Sequence, residues 1–338
     1  MTESRDRCRV AVVGTGAISQ IMHVPILEER EDVDLAVVSD LDLAKAATVA
    51  ERCGVSETLA PDEALAREDL DAVVLCTPNH LHEEMAITAL QAGKHVFVER
   101  PLALTAQGAE RVLEAARAAG RTLVVGLSHR FRPEVSALRS FVASGEMGAL
   151  YAVRGSWLTR RVPVMRPTWR HERALAGGGA LMDLGVTSVD LCLWLVGYPR
   201  ITRVSCVTTP GDFEVEDAAT LMAESEDGIA FTLEVSSRYF AGEDRYYARV
   251  MGTEGSASLP PLEIYKQLGG RPLDVTPRQP RPRGGENPYT NAYRRLLDHF
   301  VRAVEGTGEE PLPEEQVALL RLIEAAYRSA EEGREVSL

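Results

Sequence analysis

The stretch Lys94-His95-Val96-Phe97-Val98-Glu99-Arg100-Pro101 runs from a short apolar core straight into an acid, a base and a proline. Val96 to Val98 reads as a buried parallel strand, and open α/β sheets place their ligands at such strand ends. Glu99 and Arg100 are therefore candidates for chemistry. Arg100 stays protonated at any physiological pH, so it can orient a substrate oxygen or stabilise a developing alkoxide but is a poor proton carrier. A second chemistry-bearing stretch lies near the N-terminus. There Arg9 to Val13 reads as a strand leading into Gly14-Thr15-Gly16-Ala17-Ile18-Ser19 and a helical pattern to about Glu29. Gly14 permits the tight turn, Gly16 lets a pyrophosphate approach the backbone, and the helix start at Ala17 and Ile18 favours its charge. Ser19 stands where the third glycine of such a turn falls, and is small enough to serve.

The elements that must hold these residues follow in βα rhythm. Val33 to Ser39 reads as a strand ending at Asp40, at the spacing where an acid accepts the ribose hydroxyls of NAD and disfavours a 2'-phosphate. NAD is thus expected over NADP, with Asp42 an alternative for that role, and either acid could instead cap a helix. A strand at Ala72 to Cys76 precedes Thr77-Pro78-Asn79-His80-Leu81-His82, a loop and helix start placed to line the cofactor through Thr77, Pro78, Asn79 and His82. His80 and His82 are two apart and face different ways on a helix, so no metal site is expected. A helix from Thr105 to Ala119 and a strand at Thr122 to Gly126 complete the pattern of a parallel, doubly wound sheet. Beyond it, strand-like alternation recurs at Ala149 to Trp157, Ile201 to Thr208, Ala218 to Glu224, Ile229 to Ser236, Tyr246 to Met251 and Ser256 to Leu259, with a helix at Gly179 to Leu195. Helical periodicity returns at Tyr289 to Val304 and Pro313 to Ala330. Thr276 to Pro288 reads as a mobile loop or subunit-contact arm.

With 338 residues, 45% of them hydrophobic, the chain can bury two cores, and a balance of 37 basic to 50 acidic residues (net charge -13) argues against nucleic acid or an anionic membrane as partner. The five scattered cysteines read as reduced thiols. The polar N-terminus lacks a signal core and no segment is read as reaching membrane-spanning length, so a cytoplasmic location is expected.

In the order GTGAIS, SDLD, TPNHLH, AGKHVFVERP, then GLSHRFRP and GGGALMDLGVTSVDLCLWLVG, the sequence resembles the glucose-fructose oxidoreductase and inositol dehydrogenase family (Gfo/Idh/MocA) over essentially its whole length. The resemblance implies an N-terminal Rossmann domain at residues 1–126. It implies a substrate and oligomerisation α+β domain at 127–288, with an open, mainly antiparallel sheet, and C-terminal helices at 289–338 packing back on the Rossmann domain. A homodimer or homotetramer is implied with it. Family members end the fifth strand with Glu-Lys-Pro and carry Asp and His four residues apart after the glycine run. Here Arg100 stands for the lysine, Asp183 for the aspartate and Thr187 for the histidine.

Spacing by four keeps Asp183 and Thr187 on one helical face. Oxidising an alcohol requires a base for the hydroxyl proton; Thr187 does not titrate usefully, which leaves Asp183, with proton relay through Thr187 conceivable. His171 in Trp169-Arg170-His171-Glu172-Arg173 is a further candidate, since the resemblance places that loop above the substrate, and the alternative is an exposed loop histidine. His129 reads as a packing or hinge residue. Arg154, Arg160, Arg161, Arg166, Arg170 and Arg173 crowd one segment and suggest either an anionic substrate or pairing with acids at a subunit interface. Catalytic candidates are therefore Arg100, Asp183 and Thr187, and substrate-binding candidates Arg100, Arg170, His171 and Asp183. The resulting expectation is an NAD-dependent oxidoreductase acting on a secondary alcohol of a sugar, polyol or sugar acid. Alternatives are NAD-assisted sugar elimination or hydrolysis on the same scaffold, and a catalytically inactive NAD-binding sensor.

Overall fold

The computed structural model describes residues 7–162, 166–278, 287–308 and 311–338 and divides into two compact units, Met1–Ser128 with Glu286–Glu314 and His129–Gly285 with Glu315–Leu338. The first unit holds β1 (Cys8–Val13), β2 (Val33–Ser39), β3 (Glu57–Leu59), β4 (Ala72–Leu75), β5 (His95–Val98) and β6 (Leu123–Val125). They form one parallel sheet in the order β3-β2-β1-β4-β5-β6. Runs such as Val10 to Val13, Val73 to Leu75 and Val96 to Val98 have no exposed surface, as parallel strands covered on both faces require. Strand order reverses between β1 and β4, and the crevice beyond such a reversal is where these sheets take ligands. Helix boundaries follow local chemistry. Thr105 caps Ala106–Ala119 by accepting the Gly108 N–H, and Gly120 ends that helix in a left-handed conformation. The helix Pro288–Val304 is seated beside β5, with the Phe300 and Phe97 rings edge to face at 5.7 Å and both fully buried.

The second unit holds β7 (Leu150–Arg160), β8 (Ile201–Pro210), β9 (Glu216–Ser225), β10 (Ala230–Tyr239), β11 (Arg245–Gly252), β12 (Gly255–Leu259), β13 (Glu263–Leu268), β14 (Arg271–Asp274) and β15 (Val336–Ser337). They form a nine-stranded sheet in the order β14-β13-β12-β11-β7-β10-β9-β8-β15. Every pairing is antiparallel except β7 with β10, because β7 inserts between β10 and β11 and breaks the meander. Alternate residues (Leu221, Phe231, Leu233, Val250, Ile264) turn inward, onto a core shared with Val186–Leu195 and Glu315–Glu332. Each such side chain contributes roughly 1.5–3 kcal/mol by leaving water.

Two expectations are corrected, and four short strands are added to those read from the sequence. Only the first C-terminal helix belongs with the Rossmann unit; Glu315–Glu332 buries Leu319, Leu322 and Ile323 in the second unit's core and packs along β8. The stretch Arg173–Leu195 does contain an 18-residue window long and apolar enough to cross a membrane by composition, but 89% of that window is buried inside the protein, as in a core segment. The short strands β3, β13, β14 and β15 carry too few apolar residues to show an alternation. Within the loop-like stretch Thr276 to Pro288, residues 279–286 lie outside the described residues.

Candidate functional site

Gly14 follows β1 with φ +96°, and a Cβ there would sit 2.7 Å from the Cys76 carbonyl oxygen, so both backbone angle and space demand glycine. At Gly16 a Cβ would meet nothing nearer than the same oxygen at 4.0 Å, which leaves open space above the turn. The helix opens at Ala17, directly after that space, and no side chain caps it at Ile18. An anion fits there. The segment Ser19–His23 then winds as a wide π-turn, a form frequent at functional sites.

Asp40, just past β2, accepts from Thr15 N (2.7 Å), Thr15 Oγ1 (2.5 Å) and Asp42 N (3.0 Å), with Lys45 Nζ at 3.6 Å. Burial alone would raise its pKa, but the Thr15 hydroxyl and N–H bonds hold it below the ordinary carboxylate value. Asp40 is thus an anion tied to the glycine turn, whereas Asp42 caps Leu43–Arg52 through the Lys45 N–H. That division of labour separates two acids that the sequence left interchangeable.

Past β4, Thr77 and Pro78 are half-buried and Asn79 is 9% exposed. His82 does not line this surface. It is 1% exposed, with Nδ1 2.7 Å from Pro101 O and Nε2 2.9 Å from Thr77 O, so its ring is packed between the loop after β4 and the loop after β5 and, when neutral, donates to one of the two carbonyls. Burial pulls its pKa below the ordinary histidine value. The helix His82–Gln91 starts at this residue, which is the buried member of its first turn, while Glu84 faces solvent.

Glu99 follows β5 and is 8% exposed. It accepts from His23 Nε2 at 2.7 Å and Tyr293 OH at 3.2 Å, while its Oε2 accepts the Arg100 N–H at 3.3 Å. Burial pushes Glu99 upward, yet the His23 bond and the neighbouring His23 and Arg100 charges bring it below the ordinary glutamate value. The network leaves no room at Gly126, where a Cβ would lie 2.7 Å from Glu99 Oε2. His23 and Tyr293 are polar partners that the sequence analysis missed; the one signal was a histidine inside the apolar run Ile21-Met22-His23-Val24.

In the second unit, the residues after the glycine run begin with the π-turn Leu181–Gly185 and continue as the helix Val186–Leu195. Asp183 lies in the wide turn and is half-buried; Thr187, in the first helical turn, is 5% exposed. A wide turn of about 4.4 residues in place of 3.6 still returns the side chain after four positions to one side. His171 accepts the Thr168 N–H on Nδ1 at 2.9 Å and packs on Phe213 with centroids 4.3 Å apart, so the proton sits on Nε2. Arg170 lies over the Trp169 ring. The arginine-rich segment is not one positive field: Arg154 alternates to the solvent face of β7 opposite Arg249, Arg161 reaches Asp212 at 3.6 Å, and Arg173 stacks over Tyr327. His129 is 4% exposed and packs edge-on to Trp157. Arg130 makes a bidentate pair with Asp190 and reaches Glu315 at 2.8 Å. Burial pushes the Cys192 thiol up to about 12 and Cys206 up to about 11, so neither is a ready nucleophile. Among the described residues no three His, Cys, Asp or Glu side chains gather as a metal set.

Comparison with known proteins matches this arrangement. Residues 8–127 fit the model of an oxidoreductase family with an NAD-binding Rossmann fold, GFO/IDH/MocA, and residues 135–258 fit the GFO/IDH/MocA C-terminal domain. The chain is 32% identical to D-xylose 1-dehydrogenase (NADP(+)) 2 of Haloferax volcanii, over 97% of this chain and 98% of the relative. It is 29% identical to D-glucoside 3-dehydrogenase of Escherichia coli (strain K12), over 98% of this chain and 97% of that protein. Among solved structures, GenD2 from gentamicin A biosynthesis in complex with NAD superposes with a TM-score of 0.85 at 31% identity, covering 98% of this chain and 97% of that one. With both family parts present in order and an anion-ready glycine turn tied to Asp40, the chain belongs to the Gfo/Idh/MocA oxidoreductases and carries an NAD-binding Rossmann domain.

Proposed function

We propose that this enzyme is an NAD-dependent dehydrogenase that oxidises a secondary alcohol of a sugar, polyol or sugar acid to the ketone or lactone level. The observation that carries the reading is the Gly14 turn bound to an ionised Asp40, because a carboxylate there attracts ribose hydroxyls and repels a 2'-phosphate. NAD, when bound, supplies the hydride acceptor. Gly14, Gly16, Ala17 and Ile18 hold the pyrophosphate, Asp40 the ribose, and Thr77, Pro78 and Asn79 line the cofactor. Glu99 fixes the strand end that presents Arg100. The Arg100 guanidinium orients the substrate hydroxyl and stabilises its oxygen as the proton leaves. Asp183 takes that proton, with Thr187 as a hydroxyl relay. Arg170 and His171 contact the substrate, His171 donating from Nε2.

In the arginine-rich segment Arg161 is compensated by Asp212, while Arg170 keeps its charge on the Trp169 ring, so matched neutral and anionic sugars are both included in the test. We propose a cytoplasmic homodimer or homotetramer that binds neither nucleic acid nor membrane. The solvent face of the nine-stranded sheet carries exposed Val207, Met222, Tyr247 and Tyr265 interspersed with charged residues such as Arg154 and Arg249, a mixed surface compatible with a subunit interface. The test is a panel of neutral sugars, polyols and matched sugar acids with NAD, read by NADH absorbance. Turnover of at least one member supports the reading. Tightly retained NAD with product but no net NADH would transfer it to NAD-assisted elimination or hydrolysis, and cofactor binding without any product would make the chain a sensor.

A further inference from the structure

The helix that carries Asp183 and Thr187 starts in the interior, where its first N–H groups cannot reach water. A buried helix start needs acceptors. Glu216, the first residue of β9 and 5% exposed, supplies them: Oε2 accepts the Gly179 N–H at 3.0 Å and Oε1 the Leu181 N–H at 2.9 Å. Oε1 also accepts the Tyr327 hydroxyl at 2.8 Å, from the helix Glu315–Glu332. The glycine run is what admits this clamp. A Cβ on Gly179 would overlap the Glu216 backbone, and one on Gly178 would overlap the Tyr327 hydroxyl. The clamped turn continues directly into Asp183, whose N–H donates to Gly179 O at 2.9 Å. Tyr327 stays a donor, because burial and the adjacent Glu216 push its phenol far above the ordinary value.

We infer that Glu216 is a positioning residue, which fixes the turn bearing Asp183 by anchoring its first N–H groups, and that Tyr327 fixes Glu216. The inference deepens the role proposed above for Asp183 and rests on it for its effect on turnover. It does not rest on that role for the anchoring itself. Charged acceptors hold backbone N–H groups roughly twice as strongly as neutral ones, so Glu216→Gln, which keeps the shape and offers one acceptor oxygen for two N–H groups, loosens the turn without emptying the space.

The experiment compares wild type, Glu216→Gln and Tyr327→Phe by amide hydrogen exchange and by steady-state kinetics on a sugar from the panel. Faster exchange confined to residues 179–187 in Glu216→Gln, and a smaller change of the same kind in Tyr327→Phe, supports the anchoring. A kcat lower by about tenfold to a hundredfold, with KM and the NADH dissociation constant within about twofold, supports the positioning. Unchanged exchange at 179–187 overturns the inference whatever the activity. Local loosening with unchanged kcat overturns the catalytic part alone. If wild type turns over no sugar, exchange still decides the anchoring and the proposed activity fails separately. Should Glu216→Gln not fold, Tyr327→Phe carries the same two readouts.

Discussion

His23 Nε2 lies 2.7 Å from Glu99 Oε1, although 76 residues separate them in the chain. The carboxylate can only accept, so the ring nitrogen carries the hydrogen. With Tyr293 on the same oxygen, the pair joins the helix after the glycine turn, the end of β5 and the helix Pro288–Val304. Removing the histidine leaves a buried carboxylate without its main partner. His23→Ala is expected to lower stability at neutral pH by roughly 3–5 kcal/mol, and His23→Gln, which keeps a donor, by less. Urea denaturation measures both.

The same pair fixes a pH dependence. Glu99 titrates below its ordinary value in the folded chain, so its contribution to stability is present above about pH 4.3, the unfolded value, and is lost as pH falls through the folded value. The deficit of His23→Ala relative to wild type is therefore expected to be full at neutral pH and to shrink in acid below about pH 4. A deficit that is constant from neutral to acid pH would contradict an ionised Glu99 as its cause.

Asp40 predicts cofactor choice. Asp40→Asn keeps an acceptor for Thr15 and removes the charge, so NADH is expected to bind about tenfold more weakly while NADPH gains relative to it. Fluorescence titration with both cofactors gives the ratio. An unchanged preference would show that Asp40 does not set it.

We propose that Arg100 and Thr187 stand where the family pattern implied by the resemblance has lysine and histidine. If the pair is tuned to this enzyme's own substrate, Arg100→Lys and Thr187→His each lower kcat/KM on that substrate by about tenfold or more, because a planar fork and a point charge hold an oxygen differently. A gain of general sugar dehydrogenase activity would instead mark the natural residues as decayed.

The sequence carried the parts of this site that are local. The Gly14 turn, the end of β2 at Asp40 and the break after Val98 are each legible within a few residues, because strand, turn and acid lie next to one another along the chain. His23, Tyr293, Glu216 and Tyr327 were not legible. Each meets its partner from far along the chain, Tyr293 at 194 residues from Glu99 and Tyr327 at 111 from Glu216, and no periodic pattern encodes such a meeting. The two C-terminal helices show the same limit. Both have an apolar stripe, but a stripe does not say which core it covers, and the second went to the other unit. His82 is a related case: its two ring nitrogens lie against the carbonyls of Thr77 and Pro101, and the sequence does not place those two loops side by side.

The central claim is that hydride leaves a sugar carbon while Asp183 takes the hydroxyl proton. The rate of NADH formation by Asp183→Asn, measured on the best substrate of the panel with NADH binding checked in parallel, tests it most directly. A fall in kcat of about a hundredfold or more with an unchanged NADH dissociation constant is the expected result. A rate close to that of wild type would contradict the claim and move the proton to another residue.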